Sequence, residues 1–374
     1  MLPLARKNLL HDRVRLLVTL TGIVFAVVLS AVQLGLFVGF QRATSDVIRF
    51  GGADLWVMSR GVTHLENAVP FSERKAYDVR AIRGVASVQT HIIQFVQWKK
   101  PDGGQELVTL IGAESGAPLG QPWNLVAGSV EGLAQPDGVI VDELYLPKLG
   151  IRGVGDVVEI NNRRARVVGL TRGIRTFTTT PVVFASFKRA LDYAALPSDQ
   201  TLYLLVRTDP QVAPEVVADR LRTRLTDVDV YTADAWRRAQ EFYWLFGTGA
   251  GVTVLIAAVL GLLVGVVVVA QTIYAATLDH IREYGTLKAM GASNGYLYRV
   301  ILEQAAASAV GGYAIGLLIS IVAARISLRG TTAILLTPTL AVSLFVLTVV
   351  MCMAASMVSI NKVTRLDPAM VFRG

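Results

Sequence analysis

The chain has one cysteine, Cys352, and four histidines, His11, His64, His91 and His280, in 374 residues. A lone thiol inside an apolar run forms no intramolecular disulfide, so any domain here must be held together by burial alone. The histidines are scattered and none sits in an H-E-x-x-H spacing, which removes the common zinc patterns. The phosphate-cradling G-x-x-x-x-G-K-[ST] loop is missing as well, so the chain has no P-loop of its own with which to bind ATP. His64 with Glu66, and Asp142 with Glu143, come nearest to acid–base pairs. The adjacent carboxylates of Asp142 and Glu143 point to different sides of a strand or helix, and capping or surface roles are expected for both pairs. No catalytic residue, metal ligand or resident cofactor is expected.

Charge is also scarce. Only 17% of residues are charged against 53% hydrophobic, and the mean hydropathy of +0.50 lies well above that of a water-soluble globule. Crossing a bilayer takes about 20 mostly apolar residues, and the windows 16–41, 242–278, 304–324 and 330–361 are long enough. Four transmembrane helices are expected, at 16–41, 242–278 with its stalk, 300–326 and 334–361. The first is too long for the apolar region of a signal peptide and lacks a small-x-small cleavage site, so it is read as a retained anchor.

An even number of spans puts both termini on one side. Arg6, Lys7, Arg13 and Arg15 precede the first span, Arg282, Lys288 and Arg299 lie between the second and third, and Lys362, Arg365 and Arg373 follow the fourth. By the positive-inside rule these segments are cytoplasmic, and the long 42–241 segment is exported regardless of its own charge. The net charge of +8 is spread out, with no aromatic-basic cluster. It suits a solvated surface or anionic membrane lipid headgroups, and no nucleic-acid partner is expected. Residues 1–15 read either as an amphipathic interfacial helix or as a plain basic flank.

The 42–241 segment alternates strand and helix signals and predicts an α+β domain with two strand-rich lobes. "SERKAYDVRAI" predicts a helix capped by Ser72, "DVVEI" and "RARVVGL" around "NN" a tight hairpin of barrel type, and "PEVVADRLRTRL" an amphipathic helix. From about Thr232 a helix is expected to run on into the second span, with Trp236, Tyr243 and Trp244 at the membrane interface. A 279–299 segment with acids, bases and glycines separates spans two and three, and a tail follows at 362–374.

Within the spans small residues recur four apart: Gly35 with Gly39, Gly261 with Gly265, and Gly312 with Gly316. Such pairs allow close backbone approach and predict tight packing in the bundle or a dimer interface. No span carries an unpaired ionisable residue near its middle, which argues against an ion-driven transporter. Arg299 and Glu303 are spaced to pair.

The stretch "DHIREYGTLKAMGAS" predicts a short amphipathic helix with Ile281, Tyr284 and Leu287 on one face, Gly291 as its stop and Ser293 capping the next helix. With Glu303 some residues later, "REYGTLKAMGAS" resembles the signature of the FtsX-like permease domain of the MacB, LolC/LolE, FtsX and DevC group of ABC transporter membrane subunits. "RLDPAMVFRG" resembles that group's ending and "ARKNLLHDRVRLLVTLTGI" its opening, and the chain is most similar to DevC-type permeases. The resemblance implies a homodimer that passes motion from a separate ABC ATPase, which binds the ATP and magnesium, to the external domain. The segment holding Ile281, Arg282, Glu283, Tyr284, Leu287, Lys288, Met290 and Gly291 would then be the coupling helix that docks on the ATPase. Arg282, Glu283 and Lys288 would be exposed, and Tyr284 and Leu287 packed. The resemblance further implies export of an amphiphile such as a lipid or glycolipid, with a periplasmic membrane-fusion adaptor and an outer-membrane channel. Its alternatives are an FtsX-like transducer acting on a cell-wall hydrolase, and lipoprotein extraction.

Overall fold

The structure is a computed structural model describing residues 13–279 and 281–364. The elements in order are α1 (Arg13–Ala43), α2 (Asp46–Phe50), β1 (Leu55–Ser59), β2 (Phe71–Ser72), α3 (Lys75–Arg80), β3 (Val85–Lys99), β4 (Gln105–Ala113) and β5 (Leu125–Gly128). After a 3-10 turn come β6 (Gly138–Asp142), α4 (Leu146–Leu149), β7 (Val157–Ile160), β8 (Arg163–Thr171), β9 (Val182–Ser186) and α5 (Phe187–Ala194). Then follow β10 (Gln200–Thr201), β11 (Tyr203–Thr208), α6 (Pro214–Arg224), β12 (Val228–Thr232) and α7 (Ala233–Phe246). The chain ends with α8 (Gly249–Asp279), α9 (Ile281–Ala289), α10 (Asn294–Ser327) and α11 (Pro338–Thr364). Most of the expected 1–15 segment, His280 and the tail beyond Thr364 lie outside the described residues.

Two compact units result: α1 up to Gly39 with Thr253–Ser327 and Ala333 onward, and Phe40–Val252 with Leu328–Thr332. The first unit contains helices of spanning length and apolarity, the candidate spans being Leu16–Ala43, Gly249–Leu278, Asn294–Ser327 and Pro338–Val358. Ile23, Ala26, Val27, Val269, Ile273, Ala309 and Cys352 form its core. Ile256, Val259, Leu260 and Leu263 on α8 are each more than half exposed. A row of this kind is costly in water and natural in lipid.

Helix ends differ from the sequence expectation for local reasons. The expected continuous helix into the second span is broken at Gly247 and Thr248, where Thr248 accepts from Gly251 N through its Oγ1 at 3.3 Å and so starts α8 afresh. The third span begins at Asn294 because Ser293 caps it, Tyr296 N donating to Ser293 Oγ at 3.3 Å. The fourth begins at Pro338, a residue suited to a first helical turn, behind Thr337, whose Oγ1 accepts from Leu340 N at 3.2 Å. The polar signal at Ser72 marks strand β2 and not a helix cap, since α3 starts after Arg74 without a side-chain cap.

In the second unit ten of the twelve described strands form one sheet in the order β12-β1-β11-β3-β4-β9-β6-β8-β5, with β7 pairing both β3 and β8, while β2 and β10 pair only with each other. That last pairing closes β3, β4, β9, β6, β8 and β7 into a six-stranded ring, which leaves no free edge within it. The two expected lobes are therefore not separate sheets. They share β3, whose first half pairs β11 and whose second half pairs β4. Alternation along the shared sheet does the sorting: Leu55, Val57, Leu204 and Val206 face one core with α3 and α6, whereas Trp56, Met58, Tyr203 and Leu205 face the ring's core. Asn161 and Asn162 hold φ of 46° and 62° in the two-residue turn joining β7 to β8, as that turn requires. Asn161 also donates to Tyr193 O at 2.6 Å. Trp236, expected at the membrane interface, is 1% exposed and belongs to the domain core, because its phase on α7 points it at Tyr231.

Candidate functional site

The α9 helix and the first turns of α10 form one folded corner. Gly291 adopts φ +94°, closed to most side chains. Around it Gly291 N donates to Lys288 O and Ala292 N to Leu287 O, both at 3.0 Å, the paired bonds of a Schellman stop. Leu287 is then folded back against Leu297 and Ile301, with Tyr298 beside them, and Leu297 is fully buried. Two helices meeting at a capped turn with a hydrophobic contact across it make a stiff unit.

Of the other sequence-identified residues in this segment, Glu283 is exposed, Lys288 half-buried and Met290 72% exposed. The side chains of Ile281, Arg282 and Tyr284 lie outside the described residues, although their backbone is helical. Arg299 Nε lies 3.0 Å from Glu303 Oε1 one turn along α10. The letters of residues 291–295, G-A-S-N-G, coincide with a nucleophile-turn motif. Here they join two helices instead of following a strand, and Ser293 serves as the cap of α10.

The six glycines all meet elements of this same chain. A methyl group on Gly312 would lie 2.5 Å from Ile23 Cγ2, on Gly316 2.8 Å from Val27, on Gly261 2.6 Å from Gln33 and on Gly265 2.9 Å from Ser30 Oγ. Gly35 meets Ile334 at 2.6 Å, and Gly39 meets the Ala333 carbonyl more closely still. Within the chain these notches are occupied by α1 and by the 333–335 segment, as the helix-packing reading of these glycines expects. Leu335 N donates to Gly35 O at 3.0 Å, so the same segment is also hydrogen-bonded to α1.

Within the large domain, the acidic residues noted from sequence have structural duties. Asp142 is fully buried and accepts from Leu144 N at 3.0 Å, Ile174 N at 2.8 Å and Thr171 Oγ1 at 3.1 Å. Glu143 forks onto Arg172. His64 stacks on Tyr243 with ring centroids 5.1 Å apart. Glu66 lies beneath its loop near Tyr203, and burial pushes its carboxyl up to about 7. A cleft of about 600 Å³ opens between α3 and the start of α5, with Val88 and Thr90 of β3 on its floor. Its charged groups are partly committed already, since Glu114 accepts from Thr90 N and Oγ1, both at 2.8 Å, and Arg80 donates to Val88 O at 3.1 Å.

Two constellations escaped the sequence reading. Glu241 of α7 accepts from Gln41 Nε2 at 3.1 Å, Ser45 Oγ at 2.9 Å and Arg237 at 2.9 Å. Burial holds the nearby Asp46 carboxyl above its ordinary range, opposed by Arg49 and Arg42 and reinforced by Glu241. The second is the loop after β8. Its Arg175 donates to the carbonyls of Leu328, Gly330 and Gly173 at 2.6, 3.2 and 3.1 Å, and its Phe177 ring packs on Trp244 with centroids 3.9 Å apart. The only cue in sequence to the first was a lone acid, Glu241, in the approach to a span. The second gave none.

Residues 16–224 match the MacB-like periplasmic core domain family, and residues 255–368 the FtsX-like permease C-terminal family. Two chains of Mycobacterium tuberculosis, from strains CDC 1551 / Oshkosh and ATCC 25618 / H37Rv, are each 25% identical over 381 residues. Each alignment covers 100% of both chains, and both relatives are described as uncharacterized ABC transporter permeases. The solved periplasmic region of MacB from Actinobacillus actinomycetemcomitans is 14% identical, with a TM-score of 0.38 over 51% of this chain and 94% of that one. The extracellular domain of the noncanonic ABC-type transporter YknZ from Gram-positive bacteria is 15% identical, with a TM-score of 0.34 over 48% of this chain and 99% of that one.

Proposed function

This chain belongs to the ABC transporter permeases of the MacB and FtsX type, and from that premise we propose that α9 is the cytoplasmic coupling helix through which a separate ABC ATPase drives the large domain. The observation that carries the reading is the corner at Gly291. Leu287 is clamped on Leu297 and Ile301, so a displacement imposed on α9 turns the start of α10 with it instead of being absorbed in a slack loop. Glu283 and Met290 stand exposed on this corner for a protein partner. ATP and magnesium belong to that partner. The spans then work as levers between the ATPase and the large domain, and no polar pathway through the bundle is needed. The cargo is an amphiphile, moved by a pair of such chains with a periplasmic adaptor and an outer-membrane channel.

The test is to purify the wild-type chain with its co-purifying ATPase from native membrane, and then to compare Leu287→Asp and Gly291→Leu. Both variants should insert, yet lose ATPase capture or stimulated hydrolysis. Wild-type levels of both in an inserted Leu287→Asp protein would overturn the assignment.

A further inference from the structure

Inside the large domain, β4 stops pairing before β3 does. The β3–β4 ladder ends at Ala113, opposite His91, while Thr90 and Val88 of β3 continue beside β11. Where β4 has run out, side chains take the polar groups of β3 instead of a strand. Arg80 Nη2 donates to Val88 O at 3.1 Å, and Glu114 Oε1 accepts from Thr90 N at 2.8 Å. The cleft of about 600 Å³ between α3 and α5 is the room this leaves, a volume usual for a small-molecule site.

Four charged residues line this cleft. Glu73 and Arg80 stand at the two ends of α3, Lys188 in the first turn of α5, and Glu114 just past β4. Among the described residues none of the four forms an ion pair, although neighbours on the same helices do: Lys75 holds Asp227, and Arg189 holds Asp192. Val88 and Thr90 anchor Arg80 and Glu114 at points about 7 Å apart along β3, so a positive and a negative pole are already oriented. Between them the lining is apolar, with Val88 2% and Phe187 8% exposed, and Tyr77 offers a ring that is 70% exposed. A simple anion would meet Glu73 and Glu114 here, and a simple cation would meet Arg80 and Lys188. A molecule carrying both signs on an apolar body satisfies all four.

We propose that the α3–α5 cleft binds a zwitterionic amphiphile, with its ammonium group held by Glu73 and Glu114 and its acidic group by Arg80 and Lys188. The inference rests on the reading of the cargo as an amphiphile and deepens it, since it gives the cargo a charge pattern and a site within the large domain. A short apolar peptide with free termini and an ethanolamine phospholipid share that chemistry.

The experiment titrates the full chain, in phosphatidylglycerol nanodiscs and against empty discs, by calorimetry. The probes are trileucine with free termini, its N-acetyl and C-amide forms, dihexanoyl phosphatidylethanolamine and dihexanoyl phosphatidylglycerol. Saturable binding of trileucine or of the ethanolamine lipid is expected, and the one that binds names the source. Its partner probes, which lack one of the two charges, should bind about tenfold more weakly. Lys188→Met and Glu114→Gln should each weaken binding by about the same factor. Lys188 is exposed, and the amide oxygen of Glu114→Gln still accepts from Thr90, so both variants should unfold at the wild-type temperature. Absence of saturable binding by both zwitterions, equal affinity for the probes that lack a charge, or wild-type affinity in both variants overturns the site. ATPase and nucleotide are absent throughout, so such a result leaves the α9 assignment standing, and a failure of the ATPase-capture assay leaves the cleft standing.

Discussion

Gln41 and Glu241 lie 200 residues apart and are joined side chain to side chain, Gln41 Nε2 donating to Glu241 Oε2 at 3.1 Å. Gln41 is in the last turn of α1, where the chain enters the large domain, and Glu241 is in α7, where it leaves. With Ser45 and Arg237 on the same carboxylate, entry and exit are fastened together. Glu241→Ala should leave these partly buried donors unmatched and lower domain stability by about 2 kcal/mol. Differential scanning calorimetry against wild type measures it, and an unchanged transition would remove Glu241 from this role.

Gly312 and Gly265 face Ile23 and Ser30 at distances that no side chain fits without displacement. Gly312→Leu or Gly265→Leu should destabilise the helix bundle by about 1–3 kcal/mol through overpacking. Val259→Leu, on an outward position, should be neutral. Thermal aggregation in detergent compares the three, and equal behaviour would contradict the packing.

Glu66 and His91 predict opposing pH slopes. The Glu66 carboxyl is raised by burial from 4.5 to about 7, so the stability it permits is full below about 4.5 and is lost as pH rises through 7. His91, fully buried and pushed down from 6.5 to about 3, does the reverse: stability is full above 6.5 and lost as pH falls toward 3. Glu66→Gln should abolish the decline toward pH 7, worth about 3 kcal/mol at most, and leave the acid limb. Urea unfolding across pH 4 to 8 reads both, and a decline that survives Glu66→Gln would assign it elsewhere.

Asn161 and Asn162 hold left-handed φ in the β7–β8 turn. Asn162→Ala should cost about 1 kcal/mol for that backbone alone. Asn161→Gly keeps the conformation but gives up the bonds to Tyr193 O and from Gln97 N. Thermal unfolding compares the two variants, and an Asn161→Gly protein as stable as wild type would mean that the side-chain bonds contribute nothing.

What the sequence disclosed was local. The paired asparagines announced their hairpin, Gly291 and Ser293 announced a stop and a start, and glycines four apart announced close packing. What it hid depended on partners distant along the chain. Nothing near Val157 says that β7 also reaches Trp98 and Lys99 to close the ring. Trp236 misled because an aromatic ahead of an apolar run suits an interface as well as a core, and only the phase of α7 against Tyr231 decides. The break at Gly247 and Thr248 escaped because hydropathy runs on through a residue whose hydroxyl restarts the helix. Arg175 was one arginine among many until the carbonyls it serves came into view.

The fifteen residues of β3 span about 50 Å at the usual rise of an extended chain. One end is stitched to β11 and the other to β4 and β7. A beam shared by an open sheet and a closed ring cannot flex at one end without carrying the other. A load on the ring end of β3 is therefore borne through one unbroken backbone by the open sheet beneath α3 and α6 as well.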